Sequence, residues 1–194
     1  MGRYQEESAM TVRAVLIAAA AAVVTAAPAS AAVTVIGGSA ARQCYDLAER
    51  PRQPTQEDLE FCDRAIEVEA LSERDLVATY INRGILRVRT GRTGEGLADF
   101  NEAIARDPTI AEAWFNRGVA LMRTSGPEEA LPSFNAAVER STNRPALAYF
   151  GRAVALEALG NVRGAYADYR RASELDPQWD RPRAELARFT VRRR

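Results

Sequence analysis

The middle of the chain repeats itself. Tyr80-Ile81-Asn82-Arg83-Gly84 aligns with Trp114-Phe115-Asn116-Arg117-Gly118 at an offset of 34, and Gly96–Ile104 aligns with Ala130–Val138 at the same offset. A third copy holds Tyr149-Phe150-Gly151-Arg152-Ala153 and Ala165–Ala172; it lies 35 residues on, which places one inserted residue near Ser141–Pro145. A fixed period of this length restricts the fold to a stack of similar units. Each unit is too small to bury its own apolar face and needs its neighbours. Stops at Thr90-Gly91, Ser125-Gly126-Pro127 and Leu159-Gly160-Asn161 divide every unit into two helices. Thr109-Ile110-Ala111-Glu112 reads as a capping-box start for the second unit.

On these residues the chain resembles the tetratricopeptide repeat (TPR) family. The first copy carries Tyr80, Gly84, Phe100, Ala103 and Asp107-Pro108, with Gly96 where Ala is usual. The second carries Trp114, Gly118, Ala130, Phe134 and Ala137, with Thr142 at the closing position instead of Pro. The third carries Tyr149, Ala153 in place of Gly, Ala165, Tyr169, Ala172 and Asp176-Pro177. The resemblance implies an all-α fold, a right-handed α-solenoid of about three helix-turn-helix repeats at 77–110, 111–145 and 146–179. Gly or Ala in each first helix would let the second approach, and the aromatic of the second helix would fill the space between hairpins. A Cys-containing hairpin at 40–70 is expected as a degenerate repeat or cap. Residues 180–194 are expected to supply a capping helix and a basic tail.

In such an array the first helices line a concave groove. Helical spacing puts Ile81, Ile85, Phe115, Val119, Phe150 and Val154 on its apolar floor. Asn82 and Asn116 offer an amide donor and acceptor to a peptide backbone. Arg89 and Arg123, at one edge, could hold a carboxylate. The competing reading has the apolar residues packing on the next hairpin and Arg83, Arg117 and Arg152 covering the surface. Some family members recognise acidic carboxyl-terminal peptides through a Lys-rich clamp. This chain has no Lys, so that specificity is not carried over.

The N-terminal region carries no charge between Arg13 and Arg42. Arg13, the apolar run from Ala14 to Ala27, and the small-x-small triplets Ala27-Pro28-Ala29 and Ala29-Ser30-Ala31 form an export signal over 1–31. Met10 is the expected start, and Ala31 is favoured over Ala29 as the cleavage position. An uncleaved single-pass anchor in the inner membrane is the alternative. Export places Cys44 and Cys62 in an oxidising compartment and favours a disulfide between two short helices over two buried thiols.

Composition removes most chemistry. The 26 basic residues are all Arg, and there is no His. That excludes a P-loop Lys, a Schiff base, a Ser–His or Cys–His nucleophile and a His metal ligand. Carboxylate catalysis remains, but the densest clusters, Glu128-Glu129 and Asp58–Glu60, look like helix first turns. With 26 acidic residues matching the basic ones, nothing global favours nucleic acid. The sequence therefore predicts an exported, non-enzymatic periplasmic scaffold that binds a peptide or protein. It predicts no cofactor, metal, nucleic acid or small-molecule substrate. Membrane contact is expected only if the N-terminal segment is retained. The alternatives are a membrane-anchored assembly adaptor and, less so, a carboxylate hydrolase.

Overall fold

A computed structural model describes residues 10–14, 31–140 and 144–193. Most of the expected leader or anchor, the inserted residue's 141–143 neighbourhood and Thr142 lie outside the described residues. The elements run β1 (Met10–Ala14), α1 (Ser39–Glu49), α2 (Gln56–Val68), α3 (Glu73–Arg89), α4 (Thr93–Arg106), α5 (Ala111–Thr124), α6 (Pro127–Glu139), α7 (Pro145–Ala158), α8 (Val162–Leu175), α9 (Asp180–Leu186) and β2 (Phe189–Arg193).

Local chemistry sets the helix boundaries. Thr55 and Asp58 form a reciprocal capping box at the start of α2. Ser72 caps α3, and Asn161 caps α8. Pro127 and Pro145 open α6 and α7, where a missing N–H costs least. The expected capping box at Thr109 does not form: the Thr109 N–H and hydroxyl both donate to Asp107 Oδ1, and Ile110 precedes α5 without a side-chain cap. Positive φ at Gly91, Gly126 and Gly160 turns the chain between paired helices, as those stops require.

Three hairpins, α3–α4, α5–α6 and α7–α8, stack so that each second helix packs on the following first helix. The α1–α2 pair joins the same stack, both of its helices resting on α3. First helices also touch one another from α1 through α7, which puts them on the inner, concave face. The aromatic-against-glycine fit is tight: a Cβ on Gly84 would meet Phe100 at 2.5 Å, and one on Gly118 would meet Phe134 at 2.8 Å. Cys44 and Cys62 are disulfide-bonded and join α1 to α2. Glu69, just past α2, accepts from the Ala40 and Ala41 N–H groups and so caps the start of α1.

Arginines bind the hairpins from outside the groove. Arg83 pairs with Asp99 and Asp63, and Arg152 pairs with Asp168. The rings of Tyr80, Trp114 and Tyr149 lie beneath Arg83, Arg117 and Arg152 respectively. These arginines thus tie helices together rather than merely cover the surface. The C-terminus differs from the expected capping helix and tail. The helix is the short α9, and Phe189-Thr190-Val191, a run of strand formers, begins β2, antiparallel to β1. Phe189 is buried against Tyr166 and Tyr169 and closes the last hairpin.

Candidate peptide-binding groove

Asn82 on α3 and Asn116 on α5 occupy equivalent positions of successive repeats. They are 0% and 3% exposed, so their amides need partners. The partner is the chain's own extended segment 31–36. Asn82 Oδ1 accepts from the Val33 N–H at 2.9 Å, and its Nδ2 donates to the Val33 carbonyl at 2.8 Å. Asn116 Oδ1 accepts from the Ala31 N–H at 3.3 Å, and its Nδ2 donates to the Ala31 carbonyl at 2.9 Å and to the Glu112 carbonyl at 2.8 Å. Alternate residues of an extended chain face the same way and lie about 7 Å apart. That step is close to the spacing of packed helices, about 8–10 Å. Successive repeats thus meet alternate residues of this segment.

A third anchor extends the row. Asp75 lies seven residues before Asn82, two turns along the same face of α3. Its Oδ1 accepts from the Ile36 N–H at 3.0 Å, and its Oδ2 accepts from the Ser72 hydroxyl at 2.9 Å. The Ile36 N–H is the main cause holding the Asp75 carboxyl below the usual carboxylate range, against the desolvation that would raise it. The segment therefore crosses from α5 to α3 between Ala31 and Val33, and runs antiparallel to α3 from Val33 to Ile36.

Its side chains divide by face. Val35 is fully buried in a cluster with Ala40, Ala41, Ala65 and Ala78. Ala32 joins the cluster of Ile81 and Ile85, and Ala31 joins that of Phe115. Thr34 and Ile36 are exposed. Of the predicted floor, Ile81, Ile85 and Phe115 are buried, and Val119 is partly buried beside Phe115.

The third repeat is different. Phe150 packs on Tyr169 and Trp179, with the Arg181 guanidinium over its ring, and Val154 joins that cluster. At the Asn82/Asn116 position stands Gly151, where a Cβ would meet Phe134 at 2.6 Å and Phe115 at 3.1 Å. No amide fits there, so Phe150 and Val154 belong to the C-terminal closure and not to the row of anchors.

The two edge arginines also part company. Arg89 donates to the Arg50 carbonyl at 2.8 Å, at the end of α1, instead of standing at an open edge. Burial lowers its pKa, and Glu49 opposes that. Arg123 is exposed. Sequence reasoning missed Asp75 and the occupying segment. The signal was the β-branched run Val33-Thr34-Val35-Ile36 before Gly37-Gly38, which has strand character. Among the described residues there is no cluster able to hold a metal ion, and no helix is long and apolar enough to cross a membrane.

Comparison with known proteins agrees with this architecture. Two tetratricopeptide repeat family models match, one over residues 81–145 and one over 146–179. No curated protein matches the chain. Among solved structures, the first TPR of Spaghetti (RPAP3) bound to the HSP90 peptide SRMEEVD is 25% identical with a TM-score of 0.54, covering 57% of this chain and 87% of that one. MamA from Desulfovibrio magneticus RS-1 is 19% identical with a TM-score of 0.60, covering 77% and 82%. The Arabidopsis OM64 TPR domain is 21% identical with a TM-score of 0.56, covering 60% and 96%. TPR proteins are generally non-enzymatic scaffolds for protein–protein interaction. With its repeats, its hairpin stacking and these matches, the chain belongs to the tetratricopeptide repeat family.

Proposed function

We propose that the chain is an exported, non-enzymatic scaffold of the bacterial cell envelope that holds an extended peptide segment of a partner protein in its concave groove. One observation carries this reading. Asn82 and Asn116 each exchange a donor and an acceptor with the backbone of an extended segment. That contact recognises peptide as such and does not depend on side chains. In the RPAP3 structure the bound peptide is the acidic SRMEEVD. Here the segment in the groove is Ala and Val rich, and the buried wall is apolar, so an uncharged occupant fits. Export is supported by the apolar N-terminal run and by the Cys44–Cys62 disulfide, which persists in oxidising compartments.

A photoreactive residue in place of exposed Arg123, activated in envelope fractions, tests the reading. The expected product is a covalent adduct with one extended segment of a second protein, mapped by mass spectrometry, on a chain whose N-terminus lies after Ala29 or Ala31. A folded chain that yields only adducts to itself, or that is recovered outside the envelope, overturns it.

A further inference from the structure

We infer that residues 31–36 are an exchangeable internal ligand, and that the groove's external ligand is an extended, uncharged segment of the same pattern: a small residue opposite Asn116, a β-branched residue opposite Asn82, and another two positions on. This inference rests on the groove reading above and names its ligand class.

Four features argue for exchange. First, the hydrogen bonds that fix the segment use its backbone, through Asn116, Asn82 and Asp75. Any peptide backbone that follows the same path offers the same groups in the same order. Second, the segment belongs to no helix, and Gly37-Gly38 separates it from α1; Gly38 has a φ of +26°, a conformation that glycine adopts freely. It can swing away without unwinding a helix. Third, lifting it without replacement takes both Val33 bonds from the buried Asn82 amide, the Ala31 bonds from Asn116 and the Ile36 bond from Asp75, which is costly. An incoming backbone restores every one of these bonds, so substitution is far easier than opening. Fourth, the side-chain demand is simple. Val35 fills a site walled by Ala40, Ala41, Ala65 and Ala78, which leaves no partner for a charge. Thr34 and Ile36 point outward, and Ile36 is 69% exposed, so those positions are unrestricted.

A tethered segment competes at an effective concentration of about millimolar. Free peptide should therefore bind the intact chain poorly and bind an unlatched chain well. The test uses a fluorescent, N-acetylated peptide, Ala-Ala-Val-Thr-Val-Ile-Gly, and the full chain. Val33→Pro in the protein removes the N–H that Asn82 accepts from, and circular dichroism and thermal melting check its fold. Val35→Asp serves as a second latch variant.

The expected result is at least tenfold tighter peptide binding to both latch variants than to the wild-type chain. Asn82→Ala in the Val33→Pro background should abolish it, and a peptide with Pro in place of its first Val should not bind. Equal affinity for wild type and latch variants, still dependent on Asn82, overturns the inference and leaves the groove reading intact. Absence of binding to a folded Val33→Pro chain also overturns it, and the groove reading is then judged by its own crosslinking experiment. A wild-type dimer in sedimentation that Val33→Pro dissolves shows the segment docking on a second copy, and it overturns the internal form of the exchange.

Discussion

Arg83 and Asp99 meet fork to fork: Arg83 Nε donates to one carboxylate oxygen at 3.1 Å, and Nη2 donates to the other at 2.8 Å. Arg152 and Asp168 repeat the pairing at 2.7 Å and 2.9 Å. In the middle repeat Ser133 stands in the Asp position and accepts one bond from Arg117 at 2.9 Å. Replacing Asp168 with Asn strips the charge and one acceptor from a nearly buried site. A loss of about 1–3 kcal/mol is expected in urea unfolding. Ser133→Asp supplies the missing fork and is expected to raise stability by up to about 1 kcal/mol. A loss of stability in Ser133→Asp would show that burying the carboxylate outweighs its pairing there.

Glycine positions separate packing from propensity. Gly84→Ala drives a methyl into Phe100, and Gly118→Ala drives one into Phe134. Each is expected to cost about 1–3 kcal/mol. Gly94→Ala, in α4 with nothing within 4 Å of the added carbon, should instead gain up to about 1 kcal/mol from helix propensity. Thermal melts of the three variants check the order.

The disulfide closes a separation of 18 residues between α1 and α2. In the chain-entropy account its removal costs about 3 kcal/mol. Melting a Cys44→Ser/Cys62→Ser chain should show that loss in the N-terminal hairpin. Protection of α7 and α8 amides from hydrogen exchange should stay unchanged, because a stacked array transmits stability mainly to nearest neighbours.

Acid should loosen the two capped N-terminal sites in a defined window. The Asp58 carboxyl is held at about 2, chiefly by the Arg52 guanidinium and also by the Thr55 N–H. Asp75 is held low chiefly by the Ile36 N–H. Both pKa values are depressed on folding, so their stabilisation is full above the unfolded carboxylate value of about 4. It is lost as pH falls through the folded values. Carboxyl NMR should place both titrations below the unfolded value. The Ile36 amide resonance should shift with the Asp75 midpoint; a constant Ile36 amide through that titration would count against the Asp75 anchor.

The solenoid was legible because its contacts are local. Gly84 and Phe100 meet within one repeat, so a period of 34 carries the fold. The paired amides were legible too, since Asn82 and Asn116 sit at one helical register. The groove's occupant was not. Its hydrogen bonds span 49 and 85 residues, and it lies beside a stretch whose composition reads as a leader. Phe150 looked like a floor residue because spacing alone cannot see Tyr169 and Trp179 packing on it. The strand at 189–193 was missed because its ladder partner lies at the far end of the sequence.

Ala31 is both the residue gripped by Asn116 and one side of a candidate scissile bond. A cut after Ala29 leaves both amide pairs filled. A cut after Ala31 deletes the Asn116 pair while Asn82 and Asp75 keep theirs, so the mature protein would begin life with one subsite already vacant. In a chain processed there, the choice between the two sites would act as a setting on the array, fixing once per molecule and irreversibly how far the internal segment outcompetes a newcomer.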